Sequence, residues 1–239
     1  IIKAFERYLK NSGAKVMLNT KLEDIIVADK KVTGVKYNGR VYSCDKVILA
    51  LGGASYVSTG SDGLWKSKLE ELGHRVEEFI PSLIPLTSKE KWVHDLMGLS
   101  LKNISIKLTR NGKEIYSDFG EMLFTHFGIS GPIVLSCSSK INRLKLADLT
   151  IDIDLKPAPS FDVLENRLIR ELQENKTKAI SNAMRSLLPK TLIDCVLRRV
   201  NIYFDKKCCE ITVEERKKIV TTLKALSFGV KKLRPIDEA

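Results

Sequence analysis

The chain has 239 residues, 44% of them hydrophobic and 29% charged, with 40 Lys and Arg against 29 Asp and Glu for a formal net charge of +11. This apolar content excludes a largely disordered chain, and the length suits one large domain or two modest ones. No run approaches the ~20 apolar residues of a membrane-spanning helix, and nothing reads as a secretory leader.

The five cysteines (Cys44, Cys137, Cys195, Cys208 and Cys209) contain no CxxC pair, and His74, His94 and His126 do not complete a zinc pattern. No metal is expected, and reduced, mostly buried thiols in a cytoplasmic protein are the default. The basic residues are scattered in short pairs, Arg198-Arg199, Lys206-Lys207 and Lys231-Lys232, with no stripe interleaved with aromatics. The excess charge therefore reads first as a solvated surface, and nucleic acid is disfavoured as a partner. Because the chain opens on Ile1 inside a helical pattern, it reads as an internal piece of a longer protein.

In chain order, residues 2–11 place Ile2, Phe5, Tyr8 and Leu9 on one helical face, and Gly13 stops the helix. Residues 14–18, 22–28, 32–37 and 40–43 read as strands, with turns at Asp29-Lys30-Lys31 and Asn38-Gly39. Residues 46–51 are continuously apolar, like a parallel strand buried on both faces. An amphipathic helix follows from about Leu64 to Leu72, and Pro81 and Pro85 bracket a crossing between domains. From Leu86 to about Leu155 strands dominate: 104–109 and 113–118 around Arg110-Asn111-Gly112, then 121–127 and 148–154, with a helix after Ser130-Gly131-Pro132. Residues 161–226 read as helices, roughly 161–174, 177–187, 189–199 and 212–225. Asp162 and Thr212 are the expected N-caps, and Glu165 and Glu215 complete capping boxes.

Three blocks carry candidate chemistry. The run Val47–Gly53 ends a strand in two glycines, where a ligand can approach backbone that a Cβ would block; a tight turn without a ligand fits equally well. The run Thr59-Gly60-Ser61-Asp62-Gly63 opens a helix, whose free amides favour an anion, although Asp62 as a plain cap serves as well. The run Gly120–Pro132 surrounds His126 with glycines, making His126 the candidate catalytic or proton-exchanging group; the alternative is a histidine held at a strand end. A hydrolase built on Ser130 and His126 is disfavoured, because GxSxG is not met and no orienting acid is evident.

Together these blocks resemble the YhiN/BaiN-type flavoprotein family of NAD(P)/FAD-dependent oxidoreductases, which includes aminoacetone oxidases and 3-dehydro-bile-acid reductases. The resemblance runs through 47–56, 59–63, Leu72-Gly73-His74, 81–86, Gly120–His126 with Ser130-Gly131-Pro132, and the tail Arg234–Ala239. Departures are Leu51 for the usual Thr, Val57 for the usual Pro, and a shortened Thr59–Gly63 stretch.

The resemblance implies an α/β plus α+β fold: a partial Rossmann-like FAD-binding domain with an inserted β-barrel and helical subdomain. It divides the chain into 1–85 (partial FAD domain), 86–160 (barrel), 161–230 (helical part) and 231–239 (return to the FAD domain). It places Leu22, Ala50, Gly52, Gly53, Asp62 and Gly63 at FAD. It also implies a small organic or carbonyl-type substrate, with NAD(P)H as a candidate reductant.

The family's GxGxxG turn is not in the sequence, so FAD binding by this piece alone is expected to be weak or absent and the piece itself inactive. A homodimer through exposed surface is a further expectation. The alternative reading is a basic interaction module that recruits RNA or a protein partner.

Overall fold

The computed structural model describes residues 1–238. The chain divides into two units, Ile1–Leu51 and a second beginning at Gly52.

In the first unit, α1 (Ile2–Asn11) carries the expected apolar face, but Ile2, Phe5, Tyr8 and Leu9 are all exposed. Strands β1 (Leu22–Ala28), β2 (Lys31–Tyr37) and β3 (Arg40–Ser43) form an antiparallel meander. Its turns, Asp29-Lys30 and Asn38-Gly39, have positive φ at both positions, the two-residue geometry that matches strand twist. A Cβ at Gly34 would lie 2.6 Å from the Tyr42 carbonyl oxygen, so a side chain there would push β2 from β3.

Two strand expectations fail. Residues 14–18 and 46–51 form no strand, and Ile48 is 93% exposed. A parallel strand needs hydrogen-bonded neighbours on its edges, and no described strand pairs with either segment. The Rossmann-like sheet expected around 46–51 is therefore not formed among the described residues.

The second unit contains α2 (Trp65–Glu71) and a closed six-stranded barrel. Its strands are β4 (Leu86–Ser88), β5 (Ser100–Arg110), β6 (Lys113–Thr125), β7 (Gly128–Ser130), β8 (Leu149–Asp154) and β9 (Leu226–Leu233). They close antiparallel in the order β4-β7-β6-β5-β8-β9. Alternation sets the interior: Leu149, Ile151 and Ile153 of β8 and Leu226, Phe228 and Val230 of β9 are buried beside Ile106, Leu108 and Phe124. The two strands read at 113–118 and 121–127 are one strand through Gly120. Residues 226–233, where no strand was expected, form the strand that closes the barrel.

Around the barrel lie α3 (Lys91–Asp95) and α4 (Pro132–Ile141), with Pro132 suited by its fixed φ to the first helical turn. Between β8 and β9 the chain makes a helical excursion: α5 (Phe161–Glu174), α6 (Ile180–Ala183), α7 (Lys190–Arg199) and α8 (Val213–Lys224). Leu164, Leu168 and Leu172 recur every fourth residue on the buried stripe of α5, facing a core that includes Ile219, Val220 and Leu223 of α8. The expected Thr212–Glu215 capping box is present. Ser160, rather than Asp162, caps α5, and Glu165 instead pairs with Arg216 at 2.9 Å. An extended residue immediately before the helix is needed for the cap, and Ser160 occupies that position.

Removing core volume should cost far more than removing a cap. Phe124→Ala and Leu168→Ala are each expected to lower stability by ~2–5 kcal/mol, and Thr212→Ala by about 1 kcal/mol. Urea denaturation midpoints measure the difference; equal losses from the core and cap variants would contradict this view of the core.

Candidate functional site

The glycine segment after residue 51 is open but self-occupied. Gly52 is exposed with φ +77, and its Cβ position lies 2.6 Å from Ser61 Oγ; beside Gly53 only Phe79 comes within 4.0 Å. Several of the amides expected to be free are engaged. Thr59 N–H donates to Tyr56 O, Gly60 N–H to Val57 O, and Gly63 N–H to Gly53 O at 3.1 Å. Leu64 N–H donates to Asp62 Oδ1 at 3.1 Å, which makes Asp62 a local turn residue. A flavin diphosphate needs several converging donors, and this segment offers bare backbone at Gly52 and Gly53 without them. Leu22, intermediate in exposure, starts β1, and exposed Ala50 lies in the non-strand segment; both belong to the first unit. Gly52, Gly53, Asp62 and Gly63 belong to the second.

The glycine-rich block around His126 has a packing explanation. A Cβ on Gly128 would sit 2.2 Å from the Leu86 carbonyl oxygen, one on Gly131 3.0 Å from the Glu121 carbonyl oxygen, and one on Gly120 2.7 Å from Ile133 Cγ2. These glycines let β4, β6, β7 and α4 approach one another, so their density is a requirement of barrel closure. His126 is exposed in the β6–β7 turn, with its ring edge-on to Phe127 at 4.8 Å. The Arg234 guanidinium lies over the other aromatic of that pair, 4.5 Å from the Phe127 centroid. Arg234 also pairs with Glu238 and holds that carboxyl below its ordinary range.

Two concavities flank α7. One, of about 580 Å³, is lined by Ser181, Asn182, Arg185, Lys190, Arg198 and the aromatic pair Tyr203 and Phe204, among others. The other, about 540 Å³, includes Lys91, Trp92, Arg198 and Arg199, with Asp194 shared by both. The Arg199 guanidinium stacks 4.9 Å from the Trp92 ring centroid, and the buried Trp92 indole N–H finds no acceptor among the described residues. Sequence reading passed over this region. Its available signal was an aromatic pair, Tyr203-Phe204, set between Asn201 and Lys206-Lys207.

The barrel and the helical excursion also decide the family. Residues 80–239 match the HI0933-like protein barrel and H2TH domain. The chain belongs to this family.

Three curated relatives of this HI0933-like chain bear on function. It is 30% identical over 187 residues to a ribosomal RNA dihydrouridine synthase of Haemophilus influenzae, covering 76% of this chain and 44% of that protein. It is 24% identical over 202 residues to a ribosomal RNA dihydrouridine synthase of Escherichia coli, covering 84% and 48%. It is 21% identical over 241 residues to a 3-dehydro-bile acid delta(4,6)-reductase of Clostridium scindens, covering 100% and 58%. The chain thus spans about half the length of the curated relatives it matches. The family therefore includes an oxidoreductase relative. No helix among the described residues is long and apolar enough to cross a membrane.

The cysteines are unpaired, and burial governs the inner ones. Desolvation pushes Cys137 up to about 12 and Cys195 to about 11. Burial, then a hydrogen bond to Asp118, pushes Tyr116 up to about 12. For each group the folded pKa lies above the unfolded one, so the contribution to stability is complete below the unfolded value and is lost as pH rises through the folded value. Urea midpoints should therefore fall between about pH 9 and 12. Cys137→Ala should flatten part of that fall, and an identical pH profile in this variant would contradict the assignment.

Proposed function

We propose that this chain is the barrel-and-helix portion of a flavin-dependent reductase that saturates a carbon–carbon double bond, with a uracil base in RNA as the substrate. Family membership through residues 80–239 supports the oxidoreductase class, together with relatives whose names denote a dihydro product and a delta(4,6)-reductase. The resemblance to the YhiN/BaiN-type branch supports the same class. The observation that carries the choice of RNA is the distribution of charge. Between residues 176 and 209 the chain has eight Lys and Arg against two Asp and no Glu. That stretch lines the groove beside α7. The sequence alone disfavours nucleic acid because its basic pairs are dispersed, whereas the fold sets Arg185, Lys190 and Arg198 along one concave surface.

FAD is the proposed cofactor of the complete protein, supplying hydride chemistry when bound. Gly52 and Gly53 are the proposed surface for its close approach, with Leu22, Ala50, Asp62 and Gly63 as further proposed contacts. With the amides of Thr59, Gly60, Gly63 and Leu64 engaged, donors from elsewhere in the complete protein are proposed to complete the site. NAD(P)H is the proposed reductant. His126, exposed at the β6–β7 turn, is the proposed proton donor to the substrate. The unpaired cysteines suit a cytoplasmic setting.

A second reading is a small unsaturated carbonyl compound as substrate. The bile acid reductase favours it, because the match runs the length of this chain.

The test uses the complete protein. It should purify with flavin absorption bands, and its NAD(P)H-reduced flavin should be reoxidised anaerobically by unmodified ribosomal RNA, with dihydrouridine formed. Reoxidation by an unsaturated steroid ketone but not by RNA would replace the RNA reading with the small-molecule one. Absence of flavin would overturn both. His126→Ala should lower the rate of reduction by about 100-fold while shifting the urea midpoint by less than about 0.5 kcal/mol.

A further inference from the structure

The loop at 201–207 is an unusual place for two adjacent large aromatics. Tyr203 is 82% exposed and Phe204 62% exposed, while most of the helical unit's apolar side chains are buried. The loop is also pinned. Ile180 N–H donates to Lys206 O at 2.8 Å, Ser181 N–H to Phe204 O at 3.3 Å, and Lys206 N–H to Tyr203 O at 3.1 Å. Lys206 Nζ is held by both carboxylate oxygens of Glu215, at 2.7 and 2.8 Å, and Glu215 is itself locked in the α8 capping box. The aromatics therefore project from a fixed backbone, so little ordering cost remains to be met on binding.

The surroundings specify the ligand chemistry. Arg185, Lys190 and Arg198 line the same groove, and none is paired with a carboxylate among the described residues. Ser181 and Asn182 add neutral hydrogen-bonding groups, and Asp194 is the acidic residue of the groove. Cations spaced along a concave surface with exposed aromatic faces at its edge are what an unpaired polynucleotide needs, because phosphates meet the charges and bases stack on the rings. A duplex keeps its bases stacked on each other and gains little from Tyr203 and Phe204. An acidic protein would use the cations but has no planar bases for the rings. Arg198 also lines the second concavity, where Arg199 and Lys91 stand beside Asp95 and Asp194, so the charge there is mixed and the platform is placed in the first groove.

We propose that the 201–207 loop and α7 form a binding platform for single-stranded RNA, with Tyr203 and Phe204 stacking bases and Arg185, Lys190 and Arg198 contacting phosphates. The proposal rests on the RNA-substrate reading above and assigns to the helical unit the capture of RNA.

The experiment measures anisotropy of a fluorescein-labelled single-stranded RNA on the complete, flavin-loaded protein across a salt series. Tyr203→Ala with Phe204→Ala should weaken binding by about 5- to 150-fold per aromatic. Tyr203→Trp with Phe204→Trp should retain binding. Replacing Arg185, Lys190 and Arg198 by Gln should make the slope of log K against log salt less negative by about 2. NAD(P)H-driven flavin reduction, with oxygen as acceptor, should be unchanged in every variant, and urea midpoints of the surface variants should match the parent. Wild-type affinity in the alanine double variant would overturn the platform. So would equal affinity for duplex and single strand, or for poly-glutamate and RNA, the last identifying an acidic protein surface as the partner class. If RNA binds as proposed but is not reduced, the platform stands and the RNA-substrate reading falls.

Discussion

The second unit depends on one short strand. β4 is three residues long, yet it hydrogen-bonds to β7 on one edge and to β9 on the other, joining segments more than a hundred residues apart. Thr87 secures the second edge with its hydroxyl, which donates to Lys232 O at 3.0 Å and accepts from Lys232 N–H at 3.1 Å. Glu90, just beyond the strand, accepts from Gly229 N–H at 2.8 Å and pairs with the Ser88 hydroxyl. Burial alone would raise the Glu90 carboxyl, but these donors outweigh it and hold the group below its ordinary value. Without this latch the sheet would have two open edges and the interior residues of β8 and β9 would face water.

Closure also explains why the helical unit is where it is. The chain leaves the barrel at Asp154 and returns at Leu226, and the two ends are tied side by side. Leu155 N–H donates to Leu223 O at 2.9 Å, and Lys224 pairs with Asp154 at 2.6 Å. An excursion clamped at its base can present loops outward without disturbing the barrel, and the 201–207 loop is one of these. The exposed aromatics and the cations of the groove make no ion pair or ring contact among the described residues, which leaves them available to a partner. The glycines around His126, by contrast, are fully occupied by the approach of strands and α4.

Local signals are legible in the sequence where the interaction is local. Both positions of the Asn38-Gly39 and Asn111-Gly112 turns adopt the positive φ their residue types permit. The Thr212–Glu215 box, the α5 stripe and the alternation of β8 follow from residue spacing alone. The same logic misleads where a segment needs a distant partner. Residues 46–51 have the composition of a buried strand and no strand beside them, and β4 is too short to show any period.

The sequence by itself therefore determined the hairpin turns, the longer helices, the Thr212 cap and the apolar stripes, because each rests on residues within a few positions of one another. Only the tertiary structure decided that β9 closes the barrel, that Gly120, Gly128 and Gly131 serve packing, and that Arg185, Lys190 and Arg198 meet Tyr203 and Phe204 in one groove. Those outcomes depend on how separate strands, helices and loops pack against one another, and no residue pattern read along a single strand or helix encodes that packing.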